Sequence, residues 1–159
     1  MFSRVNTVAC GVAIAIFSIV VVACSDLPQY SCFAHVQQDG WDKADTTQLK
    51  MFVVPEDGIY RLNLGLRTTE QYPFTELYLR IGWKTLPNNI FSSKSLRCSL
   101  LEKDGETVEQ RGVVHYQYDI PFCNVEFQKG DTVLFYICHS MKREILPGVT
   151  DVGLTLLRQ

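Results

Sequence analysis

The chain has 159 residues, 15 basic and 17 acidic side chains, a net charge of −2 and 47% hydrophobic residues. That balance excludes a nucleic-acid footprint and a polybasic membrane patch, both of which need a clustered positive field. The length from Cys24 onward, 136 residues, suits one domain with one core.

Arg4 and the free amine of Met1 make the front edge positive, and no charged residue follows until beyond Cys24. From Val8 the chain is mostly Val, Ile, Ala and Phe, and the small residue Ala23 ends the run. A charged start, an apolar stretch and a small-residue exit compose a secretory signal. Val21-Val22-Ala23-Cys24 closes it with a thiol that is diacylated before cleavage in lipoproteins. At about 0.8 kcal/mol per buried CH₂, several acyl chains anchor a protein firmly. Val5–Ala23 is also long enough to span a bilayer at about 1.5 Å per residue. An uncleaved signal anchor and an ordinary signal peptide cut elsewhere therefore share this hydropathy, and the Ala23-Cys24 junction favours the lipoprotein signal over both. The reading is a lipoprotein signal peptide over 1–23, lipid attachment at Cys24, and a membrane-anchored protein of the cell envelope, periplasm-facing or outer-membrane associated. Without Arg4, 14 basic side chains remain against 17 acidic, a net charge of −3.

Residues 24–40 read as the lipidated N-terminus and a polar tether, with His35 inside it; the domain is expected over 41–159. Gln48–Val54 is a short β-rich run before the turn Glu56-Asp57-Gly58. Ile59–Thr68 alternates, with Tyr60, Leu62, Leu64 and Leu66 on one face and Arg61, Asn63, Gly65 and Arg67 on the other. Thr75–Thr85 does the same, setting Leu77, Leu79, Ile81 and Trp83 against Glu76, Tyr78, Arg80 and Lys84. Period two of this kind means one buried and one wet face. Further strands are expected at Ser95–Glu102 before a turn at Lys103–Glu106, at Val113–Ile120, at Val125–Phe127, at Thr132–His139 and, after the Pro147-Gly148 turn, at Val152–Leu157. Seven or eight short strands and no amphipathic helix predict an all-β fold, an antiparallel β-sandwich of jelly-roll-like form.

Chemistry is sparse. Cys138 and His139 are adjacent, so on a strand they face opposite ways and cannot share one metal. There is no C-x-x-C, G-x-S-x-G, H-E-x-x-H or phosphate-cradling loop. Asp119, Glu126 and Asp131 are acids that nothing in the sequence brings together. No catalytic residue, cofactor or metal is expected, and the protein reads as a non-enzyme. Cys32, Cys98, Cys123 and Cys138 remain after export, and four thiols allow three disulfide pairings. Cys98 and Cys138 lie in apolar runs that equally suit free cysteines. Among the aromatics, Trp83 and Tyr60 continue buried stripes, Tyr116 and Tyr118 share a strand face, and Tyr78 sits on a polar face as the best exposed contact.

Several stretches carry a family resemblance: the lipoprotein start at Cys24; Trp41-Asp42-Lys43-Ala44-Asp45; Tyr60–Arg67 followed by Tyr72-Pro73-Phe74; and Met141–Leu154, with its unusual order of a basic pair, Leu-Pro-Gly-Val and Asp-Val-Gly. Across the mature chain the sequence resembles the GldH family of gliding-motility lipoproteins. It departs from the family at Lys103–Arg111, which lacks a Trp. The resemblance implies a lipid-anchored, non-catalytic accessory of the gliding apparatus that associates with other envelope proteins, and it supplies no catalytic residue. A carbohydrate-binding β-sandwich lipoprotein is the alternative, with a glycan as partner.

Overall fold

Leu62, Leu64 and Leu66 project to one side of a twelve-residue strand, and all three are fully buried. A computed structural model describes residues 27–37, 39–100, 106–110 and 113–159. The signal segment 1–23, Cys24 and the turn residues 103–105 lie outside the described residues. The strands are β1 Tyr30–His35, β2 Trp41–Asp42, β3 Thr47–Gln48, β4 Phe52–Val53, β5 Gly58–Thr69, β6 Glu76–Leu86, β7 Ile90–Ser99, β8 Glu106–Gln110, β9 Val113–Phe127, β10 Thr132–His139, β11 Ile145–Leu146 and β12 Val149–Arg158. Among the described residues no helix is long and apolar enough to cross a membrane.

The strands pair antiparallel. The first sheet runs β1-β12-β5-β9-β8 and the second β3-β10-β6-β7, with β4 also on β10; β11 and β2 form a short ribbon. Their inward faces meet in one core. The first sheet contributes Leu62, Leu64, Leu66, Val152, Leu154 and Leu156, the second Leu77, Leu79, Ile81, Val133, Phe135 and Ile137. Each Leu removed from water contributes roughly 1.5–3 kcal/mol, so the two alternating patterns supply most of the drive to close the sandwich. Trp83 and Tyr60 belong to this core, as the alternation required.

Four differences from the sequence reading have physical causes. Residues 30–35, taken as tether, are strand β1, paired with β12 from Tyr30↔Leu156 to His35↔Asp151. Its inward side chains include Cys32 and Ala34, too small to advertise a period-two stripe. The Gln48–Val54 run is split into β3 and β4, each holding a different part of β10. Strand β7 begins at Ile90 rather than Ser95, because pairing with β6 overrides the low strand preference of its serines. Finally, Val113–Ile120 and Val125–Phe127 are one strand, β9. Pro121 is accommodated where the register slips between Leu62↔Cys123 and Asn63↔Pro121, since a bulge tolerates a residue without an N–H.

Cys32, Cys98, Cys123 and Cys138 are all free thiols. Burial pushes the Cys98 thiol up to about 12, which leaves it an inert hydrophobe.

Candidate functional site

Strands turn alternate residues outward, so the outer face of the second sheet follows from register. β6 presents Tyr78, Arg80, Gly82 and Lys84; β7 presents Phe91, Ser93, Ser95 and Arg97; β10 presents Leu134, Tyr136 and Cys138. A shallow groove of about 390 Å³ lies across the middle of this face, between Arg80, Lys84, Phe91 and Tyr136. Its floor is Gly82. A Cβ there would stand 2.9 Å from Phe91 Cζ, so the missing side chain is what lets the ring lie over the strand. Phe91 is nonetheless 62% exposed, and its ring centroid is 6.5 Å from that of Tyr136 at an interplanar angle of 52°. Arg80 and Lys84 flank these rings and make no ion pair among the described residues. An exposed Phe91 and a half-buried Tyr136, between two cations without an ion pair among the described residues, form the chemically distinctive surface of the described domain.

Tyr78 is exposed, as expected, but it is already engaged. Its hydroxyl donates to Glu76 Oε2 at 2.8 Å, Arg97 also bonds Glu76, and the Arg97 guanidinium carbon stands 6.0 Å from the Tyr78 ring centroid. Arg97, then the Tyr78 hydroxyl, hold the Glu76 carboxyl below its ordinary value. Tyr116 and Tyr118 lie elsewhere, beside Thr68, Tyr72 and Phe74 in a cleft of about 400 Å³. That volume is within the range of small-ligand pockets.

Cys138 and His139 divide between the faces of β10 as alternation demands: Cys138 lines the outer groove, and His139 is buried. The His139 ring meets Trp41 edge-on at 5.3 Å, and His139 Nε2 lies 3.1 Å from the Trp41 carbonyl oxygen. The carbonyl accepts, so the proton is on Nε2. Burial, opposed by that hydrogen bond, lowers the imidazole pKa below the ordinary value. The structure does not assemble the three acids. Asp119 accepts from Asn63 Nδ2 at 3.1 Å, Glu126 lies opposite Ile59 farther along β9, and Asp131 sits in the turn before β10. No cluster of three potential metal ligands occurs among the described residues.

Sequence reasoning missed the groove. Arg80 and Lys84 stood on the wet face of their strand as read, but Phe91 fell outside the expected β7, and Tyr136 was hidden in the most apolar run of the chain. The usable signal was Gly82: a glycine inside a strand marks close approach by another group.

Fold and surface together define an all-β sandwich of antiparallel sheets whose most distinctive chemistry is displayed on an outer sheet face. The family model for the GldH lipoprotein matches residues 29–156. The chain belongs to the GldH lipoprotein family, and it is an envelope lipoprotein of the gliding-motility type. A comparison with curated proteins finds no match. Among solved structures the chain is similar to a CocE/NonD family hydrolase from Staphylococcus aureus, at 12% identity and a TM-score of 0.38, over 82% of this chain and 33% of that one. It thus spans about a third of the hydrolase's length.

The described stretches around Trp41, Tyr72 and Leu146 that carried the family resemblance meet in space. Leu146 pairs with Trp41 and Ile145 with Asp42 in the β2–β11 ribbon. Thr69 N donates to the Gly148 carbonyl at 2.7 Å, and Gly148 packs on the backbone of Gln71 and Tyr72. Trp41 and Leu146 are almost wholly buried, so these two residues of the motifs help close the sandwich.

Proposed function

We propose that this protein is a lipid-tethered, non-catalytic docking module of the gliding-motility envelope machinery, with Cys24 as the acylated residue. The observation that carries the docking role is the outer groove of the second sheet. An exposed Phe91 and a half-buried Tyr136, between Arg80 and Lys84 that have no ion pair among the described residues, supply an apolar centre with a charged rim, the composition of a protein-binding patch. The partners are other envelope proteins, and the tether holds the domain close to the membrane where they reside. A thioether and an amide at one residue need both the thiol and the freed amine, so Cys24→Ser leaves unprocessed precursor. Metabolic labelling with an alkyne fatty acid checks this: label on wild type and none on Cys24→Ser is expected, and equal label refutes the anchor. Capture of the acylated protein from crosslinked envelopes checks the docking role, with defined protein partners as the expected result.

A second reading has one observation in its favour. Tyr72, Phe74, Tyr116 and Tyr118 surround the second cleft together with the hydroxyls of Thr68 and Thr69, a mixture suited to a sugar ring. Selective signal on a glycan array, abolished by Tyr118→Ala, would move the assignment to a carbohydrate-binding lipoprotein.

A further inference from the structure

Three features of the outer groove specify what it takes, given that it docks a protein. The first is charge. From Cys24 onward the chain is net negative, at 14 basic against 17 acidic side chains, yet the outward positions of β6, β7 and β10 hold Arg80, Lys84, Arg97 and a single acid, Glu76. Glu76 is occupied by Arg97 and Tyr78, so Arg80 and Lys84 are left as a local positive pair. The second is access. Ser93 and Ser95, opposite Gly82 and Arg80 on β7, are small, so a side chain approaching over β7 meets no obstruction before the cations. The third is the pair of rings between them, with Phe91 exposed on the side away from Gly82.

We infer that the groove binds an acidic segment of a partner polypeptide, its carboxylates on Arg80 and Lys84 and an apolar side chain against Phe91 and Tyr136. This rests on the docking reading and adds the chemistry of the partner. Guanidinium and ammonium groups set apart around an apolar centre recognise carboxylates spaced along a chain, and such complementarity governs encounter rate and choice of partner. The binding edge is also protected against indiscriminate strand addition. β7 is the last strand of its sheet among the described residues, and Lys94 projects from it toward the inner side, opposite Ile81. An inward-pointing charge on an edge strand opposes pairing with another chain, which directs partners to the face instead.

The test is photo-crosslinking in cells with benzoylphenylalanine placed at position 136, and at position 31 on the outer face of the other sheet as a control, followed by sequencing of the linked peptides. The expected result is capture at 136 of a segment rich in Asp and Glu. Arg80→Gln with Lys84→Gln should reduce that capture by at least about tenfold, as loss of paired interfacial charges does. The double variant should retain the wild-type melting temperature, because both side chains are without ion pairs among the described residues. Capture at 136 of a neutral or basic segment, or of an acidic one unaffected by the double variant, overturns the inference while leaving docking in place. Capture at 31 alone does the same. Protein crosslinks at neither position, with binding of polygalacturonate to the detergent-solubilised full chain, overturns both readings.

Discussion

The two outer sheet faces begin from the same device and finish it differently. On the first sheet Phe33 lies across Gly153 and Gly65, which neighbour it in register, and Arg67 stacks above the ring at 4.7 Å. Arg67 in turn donates to Gln117 Oε1 at 3.0 Å, and His35 Nδ1 lies 3.3 Å from Asp151 Oδ1. On the second sheet Phe91 lies over Gly82 in the same way, but among the described residues no cation covers it and the adjacent Arg80 and Lys84 have no acid. An aromatic ring seated on glycine is a way of shielding exposed backbone. Capped, it completes a surface; uncapped between free charges, it leaves a surface with unused binding capacity. That difference is why docking is proposed for the second sheet.

The largest expected effect lies beneath both faces. Leu154 is fully buried between the sheets, and an unpaired carboxylate there costs several kcal/mol. Leu154→Asp should therefore remove most of a stability of about 5–15 kcal/mol; loss of the cooperative thermal transition by circular dichroism checks it. Next comes the same substitution made on each face. Gly65→Ala drives a methyl into Phe33, which Arg67 and the flanking strands hold in place, and should cost roughly 1–3 kcal/mol as overpacking does. Gly82→Ala meets Phe91, an exposed ring free to swing outward, and should cost under about 1 kcal/mol. Equal shifts in denaturant midpoint would break the comparison.

Arginine truncation sharpens it further. Arg67→Ala removes both the cover over Phe33 and the bond to Gln117, and is expected to destabilise by about 1 kcal/mol. Arg80→Ala should stay within about 0.5 kcal/mol, as surface changes without partners do. Urea unfolding of the two variants beside wild type measures the contrast. The smallest effect is a pH dependence on the inner side of β10. His139 has a lowered pKa in the folded protein, so the unfolded chain takes up its proton first as the pH falls. The stability contribution is complete above about 6.5 and declines below it, by at most about 1.4 kcal/mol per pH unit. Comparing urea midpoints at pH 7.5 and 5.5 should show a decline in wild type that is smaller in His139→Gln.

Much of the fold was legible. The stripes of β5 and β6 are strongly apolar every second residue, and β10 matches its expected bounds at both ends. Of the eight strands of five residues or more among the described residues, β1 and β8 had no counterpart in the sequence reading, and the separately expected Val113–Ile120 and Val125–Phe127 are one. What escaped was each element whose existence depends on a neighbour. β1 is a strand because β12 offers it an edge, and β7 extends back to Ile90 because β6 is there to pair with. The candidate site was less legible. Tyr78 was correctly exposed, but its engagement by Glu76 and Arg97 depends on β7 lying alongside β6, which no spacing within one strand reveals.

By itself the sequence determined a β-rich chain and which side of β5 and β6 is buried, because burial is a property of single side chains repeating at a local period. Tertiary structure decided which wet face is complete and which is open. That outcome depends on cross-strand neighbours such as Phe33 with Gly153 and Gly65, or Phe91 with Gly82 and Tyr136. Such neighbours are set by register between strands distant in the chain, where a slip of one residue would send every side chain to the opposite face.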